Sequence, residues 1–172
     1  LWDEPGAKEA FLKAAKIAHE AGRLVSLTLS DSFCVDRFRD EFRRLARDEV
    51  DLLFANEADI LSLYETDVFD DALQQVRKDC KFAALTRSEQ GSVIVADGEV
   101  HVVDAEPVSR VVDTTGAGDL FAAGFLYGLT RGKDPVTCGR PGALAAAGVI
   151  AHYGGRVYTS DAADAHPAGD LR

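Results

Sequence analysis

The fold is decided by residues 111–126, VVDTTGAGDLFAAGFL, in which a polar turn broken by glycines runs directly into an apolar helix. The first N–H groups of a helix lack internal partners and carry partial positive charge. Gly116 and Gly118 have no Cβ, so an anion can approach that backbone closely. Asp119 adds a carboxylate beside the same amides. This combination predicts an anion site suited to phosphoryl transfer, in which positioning and charge stabilisation supply most of the catalysis.

Two commoner glycine-rich motifs fit this stretch less well. A P-loop requires Lys followed by Ser or Thr after its last glycine, whereas Asp119 and Leu120 stand there. A dinucleotide-binding fingerprint requires a third glycine where this chain has Phe121, which disfavours a dinucleotide oxidoreductase. A purely structural interpretation stays open, in which Thr114 or Thr115 caps the helix and Asp119 only complements its dipole.

The remainder of the chain alternates strand patterns with helical patterns. Helices are predicted over residues 7–21, 37–48, 67–79, 120–129 and 136–152 and directly after Asn56, and strands over 24–29, 50–54, 81–86, 92–96 and 99–103. An Asp-Gly turn at residues 97–98 joins the last two strands as a hairpin. This alternation predicts a single α/β domain over residues 1–172, with a mostly parallel sheet between two helical layers.

Three of these elements carry finer expectations. The strand at residues 24–29 is largely apolar, which is typical of a strand buried on both faces. The helix at residues 120–129 is apolar on all sides, so deep burial is expected. The helix at residues 136–152 should be interrupted near Pro141 and Gly142.

Composition and charge limit the possible partners. A net charge of −10 and a pI near 4.8 argue against a nucleic-acid surface, which needs clustered Lys and Arg. No apolar run is long enough to cross a membrane. Cys34, Cys80 and Cys138 are odd in number and far apart, without zinc-site spacing, which favours reduced thiols in a cytoplasmic protein.

Residues 113–125, DTTGAGDLFAAGF, resemble the C-terminal signature of the ribokinase-like, phosphofructokinase-B type sugar and nucleoside kinases. The resemblance implies a three-layer, Rossmann-like αβα fold with ATP as the phosphate donor. It also implies that Asp119 is the catalytic base and that the amides of Gly116, Ala117 and Gly118 form the anion hole.

The same resemblance assigns two further roles within the signature. Thr115 would contact the nucleotide. Asp113 would bind a monovalent cation such as K⁺. Further along the chain, Ala146 and the turn at residues 153–156 would border the adenine and the cation.

Asn56 follows the second predicted strand, with Glu57 and Asp59 close behind it. An Asn followed three residues later by an acid is also a helix-capping pattern, so a structural interpretation stays open. In the resembling family this segment is usually Asn-x-x-Glu and is associated with magnesium. The resemblance therefore implies that Glu57 or Asp59 acts on Mg²⁺ through its water ligands, and that Asn56 contacts the nucleotide.

The third predicted strand ends at Thr86, with Ser88 and Gly91 in the loop that follows. The resembling family usually carries Thr-x-Gly-x-x-Gly here, alongside the nucleotide phosphates. The resemblance implies that Thr86, Ser88 and Gly91 contact the nucleotide, although Ser88 replaces a glycine. Without the resemblance, a polar loop is an equal interpretation.

The chain contains no methionine and begins LWDEP. The resemblance covers only the C-terminal half of a typical family member. We therefore expect part of a longer kinase, incomplete on its N-terminal side and inactive on its own. The other half would supply acceptor-binding residues and a lid through which a homodimer could form.

Residues 30–37 (SDSFCVDR) and 54–57 (FANE) resemble a bacterial subgroup described as adenosine kinases. This resemblance implies transfer of the γ-phosphate of ATP to a hydroxymethyl group of an adenosine-like nucleoside, ahead of a sugar. The expected partners are small molecules, with no nucleic acid and no membrane. The alternative hypothesis is a nucleotide-binding or interaction module without catalysis.

Overall fold

The computed structural model describes Trp2 and residues 4–154. The helices are α1 (Pro5–Glu20), α2 (Ser32–Arg37), α3 (Arg39–Asp48), α4 (Glu57–Tyr64), α5 (Phe69–Asp79), α6 (Ala117–Leu129) and α7 (Pro135–Ile150). The strands are β1 (Ser26–Thr28), β2 (Leu52–Asn56), β3 (Phe82–Thr86), β4 (Ser92–Ala96) and β5 (Glu99–Val103), with a 3₁₀ turn at Ser88–Gln90.

The five strands form one sheet in chain order, β1 to β5. Strands β1, β2 and β3 run parallel, and β4 and β5 complete the sheet as an antiparallel hairpin. The hairpin turn places Asp97 at φ 48° and Gly98 at φ 81°. Positive φ at both central residues is the type I′ geometry that the Asp-Gly pair favours. The predicted mostly parallel sheet and its hairpin are confirmed.

Helices cover both faces of this sheet, as predicted. On the first face, Leu53, Ala83 and Leu85 belong to a large core formed with helices α2 to α5, against which Phe11 of α1 also packs. We call this the five-helix face. On the opposite face, Phe54 and other alternate residues pack against α6 and α7. We call this the two-helix face. Alternation along the strands therefore produces the predicted three-layer αβα arrangement.

Two finer expectations about burial are wrong. The strand predicted at residues 24–29 spans only Ser26–Thr28, with Ser26 and Thr28 exposed, because β2 is its only neighbour in the described sheet. Helix α6 buries only Phe121, Phe125 and Gly128 completely, and Tyr127 is 57% exposed. This helix packs one face against the sheet and α7, so its apolar composition did not require burial all round.

Helix α7 is also not interrupted, since it continues through Pro141. Close packing against α6 accounts for this continuity. A Cβ at Gly124 of α6 would lie 2.3 Å from the Pro141 carbonyl oxygen, and one at Gly142 would lie 2.9 Å from the Phe121 carbonyl oxygen. The glycines thus allow the two backbones to touch, and this tertiary contact holds the helix across the proline.

Candidate active site

The turn that enters α6 is built by its own backbone and by Asp113. Gly116 is the N-cap residue at φ 78°, a left-handed conformation that favours glycine. No side chain caps the helix, so the alternative in which Thr114 or Thr115 caps it is wrong. The Asp113 carboxylate accepts hydrogen bonds from the Thr115 and Gly154 amides, both at 2.9 Å. These bonds lower the pKa of Asp113 and tie the turn to the end of α7.

Only some of the backbone N–H groups of this turn donate hydrogen bonds within the chain. The Ala117 N–H donates to the Thr114 carbonyl oxygen at 3.1 Å. Within the described part of the chain, the N–H groups of Gly116, Gly118 and Asp119 have no acceptor. Free amides at a helix N-terminus attract anions. The predicted anion hole therefore has two of its three predicted amides available, with the Asp119 amide beside them.

A cavity of about 300 Å³ lies in front of these amides, where the carboxyl ends of β1 to β3 meet the start of α6. The predicted residues that line it are Asn56, Asp59, Thr86, Gly116, Gly118 and Asp119. Thr28, Ser30, Phe54, Ala55, Ala84 and Phe121 complete its wall. In an open α/β sheet, ligands bind at this position.

Asn56 and Asp59 form a reciprocal capping box at the start of α4. The Asp59 N–H donates to Asn56 Oδ1 at 2.8 Å, and the Asn56 N–H donates to Asp59 Oδ2 at 3.0 Å. The capping interpretation is therefore correct. Asp59 is also buried at the cavity wall, where its Oδ1 atom has no hydrogen-bond partner. Burial raises the pKa of the Asp59 carboxyl.

Glu57, the other candidate acid, is held away from this cavity. Arg87 binds both of its carboxylate oxygens, with Nε 3.0 Å from Oε2 and a terminal nitrogen 3.2 Å from Oε1. The Arg87 guanidinium carbon also lies 3.7 Å from the centre of the Phe69 ring. Glu57 therefore anchors the loop after β3 to α4, while Asp59 faces the cavity.

A second cavity of about 690 Å³ adjoins the first and shares Thr86 and Phe121 with it. One end is polar and is formed by Thr86, Ser88, Glu89, Gly91 and Ser92. The other wall is largely apolar and contains Pro107, Val108, Val111, Ala143, Ala146, Ala147 and Ile150, with Ala117 and Thr114 nearby. We call these two adjoining cavities together the cleft, which has a polar end and an apolar end.

Gly91 must be a glycine in this cleft. Its φ is 82°, and a Cβ there would lie 2.2 Å from the Val103 carbonyl oxygen. The sequence pattern therefore predicted a glycine at a position where the loop backbone contacts the end of β5 and the residues that follow it.

Most of the predicted site residues come together, but three do not line either cavity. These are Glu57, Asp113 and Thr115. The described residues contain no group of three or more His, Cys, Asp or Glu side chains arranged to hold a metal ion. Residues 155 and 156 of the turn predicted beside the adenine lie outside the described part of the chain.

Several lining residues were not selected from the sequence, among them the polar residues Thr28, Ser30 and Ser92 and the aromatic residue Phe121. Thr28 and Ser30 follow the rule that small polar residues at a strand end face the ligand edge, so a signal existed for them. Phe121 breaks a dinucleotide fingerprint and belongs to the family signature, but neither pattern marks it as a lining residue. Ser92 read as an ordinary strand residue, and no pattern in the sequence marked it.

Comparison with known proteins agrees with this geometry. A family model of the pfkB family carbohydrate kinases matches residues 2–162. Adenosine kinase from Saccharomyces cerevisiae is 29% identical over a region that covers 73% of this chain and 40% of that protein.

Two bacterial crystal structures are more similar. A probable sugar kinase from Rhizobium etli shares 55% identity at a TM-score of 0.89, covering 95% of this chain and 51% of that chain. Adenosine kinase from Sinorhizobium meliloti shares 52% identity at a TM-score of 0.89, covering 96% of this chain and 51% of that chain. The chain therefore spans about half the length of these solved relatives.

Proposed function

This chain belongs to the pfkB family of carbohydrate kinases, and from that premise we propose that it is the ATP-binding and catalytic-base part of a nucleoside or sugar kinase. One observation carries the proposal. Asp119, Gly116 and Gly118 line the same cavity at the start of α6, and the N–H groups of the two glycines have no acceptor in the described residues.

The cleft suggests how ATP would lie. Its terminal phosphates would occupy the smaller cavity, where the amides of Gly116 and Gly118 donate to anionic oxygens. Its base would lie against the apolar wall of the larger cavity, which includes Ala146. Thr86 faces both cavities and would contact the segment between phosphates and base, with Ser88 and Gly91 beside it.

Mg²⁺ fits the polar wall of the smaller cavity. Asp59 presents a buried carboxylate oxygen without a partner, next to the Asn56 side chain. A hydrated Mg²⁺ supplies charge neutralisation on the phosphates when bound, and Asp59 and Asn56 would hold its water ligands. Glu57 already pairs with Arg87, so the proposal assigns this role to Asp59.

The catalytic step depends on Asp119. An acceptor hydroxyl beside its carboxylate attacks the γ-phosphorus, the bond from that phosphorus to the ADP oxygen breaks, and the hydroxyl proton passes to the carboxylate. The free amides stabilise the negative charge on the transferred phosphoryl oxygens. Asp113 fixes the turn, and a K⁺ ion beside it would use the remaining lone pairs of its carboxylate.

We propose an adenosine-like nucleoside as the acceptor, because the Sinorhizobium meliloti relative is an adenosine kinase of 52% identity. A sugar hydroxymethyl group is the second choice, supported by the Rhizobium etli protein. We propose a cytoplasmic location, which the three free cysteines and the acidic composition support. No helix in the described residues has the length and hydrophobicity needed to span a bilayer.

A second candidate is a nucleotide-binding module without turnover. It is favoured by the coverage, since only about half of each solved relative corresponds to this chain. ATP binding by the 172-residue chain without acceptor-dependent ADP release would support the module for this chain alone, and the same assay on the full-length protein decides its activity. For the kinase, we also propose a homodimer formed through the part of the protein outside this chain.

Asp119→Asn tests the base directly. We expect turnover to fall roughly 10²–10⁴-fold, which is the usual contribution of a general base, while ATP affinity changes little. Turnover is measured as adenosine-dependent ADP release by the full-length protein, and ATP binding by calorimetry. Asp134→Asn is the matched control, because Asp134 caps the start of α7 outside both cavities and Asn preserves a cap. Unchanged turnover in Asp119→Asn would exclude Asp119 as the base.

A further inference from the structure

Two buried side-chain polar atoms in the described residues have no hydrogen-bond partner. They are Oδ1 of Asp59 and Oγ of Ser92. Asp59 is a lining residue of the smaller cavity, and Ser92 is a lining residue of the larger one. A buried polar group without a partner is unfavourable for folding, so its retention calls for an explanation. The proposed Mg²⁺ contact accounts for Asp59, and Ser92 has no role in the mechanism above.

Ser92 differs from the other polar residues of the larger cavity in its burial. The residue is 1% exposed. Ser88 and Glu89, at the same end of the cavity, are exposed, so water can satisfy their polar atoms. The Ser92 hydroxyl is therefore the polar group that gains most from a hydrogen-bonding ligand.

The sheet register fixes where that hydroxyl lies along the cleft. Ser92 is the first residue of β4 and pairs directly with Thr86, the last residue of β3. Paired residues on antiparallel strands project to the same face. Thr86 borders both cavities, so Ser92 lies close to their junction, on the side of the larger cavity.

We propose that the Ser92 hydroxyl forms a hydrogen bond with a ribose hydroxyl of the bound donor nucleotide. This inference rests on the proposed function. If phosphates occupy the smaller cavity and the base lies on the apolar wall, the sugar is the part of the nucleotide at the junction. A serine hydroxyl both donates and accepts, and it therefore suits a hydroxyl partner. Ser92 would then discriminate ribonucleotides from deoxyribonucleotides.

The proposal separates Ser92 from a residue with a structural role. In the free protein its Oγ atom makes no hydrogen bond, so removing it should not weaken the fold. We expect Ser92→Ala to unfold at the same temperature as the unmodified chain or at a higher one, while it binds ATP more weakly. If Ser92 only supported the fold, its substitution would lower the unfolding temperature and weaken ATP binding together.

Calorimetry with three nucleotides tests the contact. The unmodified chain is titrated with ATP, 2′-deoxy-ATP and 3′-deoxy-ATP, and so are Ser92→Ala and the exposed-residue control Ser109→Ala. We expect one deoxy analogue to bind the unmodified chain roughly two- to tenfold more weakly than ATP, the range for one hydrogen bond. Ser92→Ala should bind that analogue and ATP equally, whereas Ser109→Ala should keep the difference.

Each other result overturns the inference in a recognisable way. Equal binding of ATP and both analogues by the unmodified chain excludes the ribose contact, whatever happens to the variant. A uniform weakening of all three nucleotides by Ser92→Ala, with a lower unfolding temperature, assigns Ser92 a structural role. If the unmodified chain and the full-length protein both fail to bind ATP, the proposed function fails and this inference fails with it.

Discussion

The two faces of the sheet are built differently. The five-helix face carries the larger core, in which Leu53, Ile60 and Leu63 are completely buried. The two-helix face has a smaller core around Phe54 and Phe125, and its helices meet through glycines. The larger cavity and the mouth of α6 lie on this second side. The contrast indicates that the five-helix face supplies most of the stability, whereas the two-helix face supplies the larger cavity and the start of α6.

The glycines explain how a thinner core can still fix the site. Backbone contact between α6 and α7 at Gly124 and Gly142 sets the position of α6 against the sheet. The first turn of α6 carries the free amides and Asp119. Small residues at this helix contact therefore position the anion site, whereas large buried side chains stabilise the opposite face.

Truncating the core of the five-helix face should have the largest effect on stability. Leu63 is completely buried at the far end of α4 from Asn56, so Leu63→Ala removes several methyl contacts and leaves a void. We expect a loss of about 2–5 kcal/mol in the free energy of unfolding, measured by urea titration. The ATP affinity of the molecules that remain folded should change by less than about twofold, which corresponds to about 0.4 kcal/mol.

Leu144→Ala is the matched control on α7, where the leucine is 52% exposed and we expect a change within about 0.5 kcal/mol. A tenfold loss of ATP affinity in folded Leu63→Ala would contradict the division of roles between the faces.

The sequence predicted local backbone conformation better than it predicted which elements are buried. The stretch at residues 111–126 correctly placed a turn before α6, and the Asp-Gly pair correctly placed the hairpin, because both depend on local conformation. Burial of β1 and α6 depends on what packs against them. An apolar composition does not reveal this, and both predictions failed.

The site shows the same limit. Asn56 and Asp59 were predictable as a cap, because spacing along one helix turn determines it, whereas their proposed ligand contacts came from the family resemblance. The pairing of Glu57 with Arg87 joins residues 30 positions apart in the chain. The hydroxyl of Ser92, which has no hydrogen-bond partner, depends on neighbours from the two flanking strands, β3 and β5. Such long-range features follow from the assembled sheet and leave no local pattern.

Adding a methyl group between α6 and α7 should have an intermediate effect. A Cβ in Gly124→Ala would meet the Pro141 carbonyl at 2.3 Å, so the helices must separate. Overpacking of this kind typically reduces stability by about 1–3 kcal/mol. We also expect weaker ATP binding, because α6 carries the anion site. Both quantities are measured by thermal unfolding and calorimetry.

Gly148→Ala provides the control within the same helix pair. A Cβ at Gly148 in α7 meets no atom within 4 Å. Alanine is favoured over glycine inside a helix, so we expect a gain of up to about 1 kcal/mol. Equal behaviour of Gly124→Ala and Gly148→Ala would show that close contact between the helices does not position the site.

Replacing the buried acid at the cleft should have the smallest effect and the opposite sign. Asp59→Asn keeps a side-chain oxygen for the Asn56 amide and removes a buried negative charge. In metal-free buffer at neutral pH, we expect the variant to be more stable by at most about 1 kcal/mol. It should lose the Mg²⁺-dependent part of ATP affinity, since the carboxylate is the group proposed to hold the hydrated ion.

The pH dependence of Asp59→Asn follows from the direction of the pKa shift. Burial raises the pKa of Asp59 in the folded chain, so the folded state holds this proton more tightly than the unfolded state does. Its contribution to stability is complete below the unfolded pKa, near 3.9, and is lost as pH rises through the higher folded value. The advantage of the variant should therefore grow as pH rises above about 4 and then level off. An advantage that shrinks over this range would show that Asp59 is stabilised as a carboxylate in the free protein, and the cleft would then have no unsatisfied acid for a cation to bind.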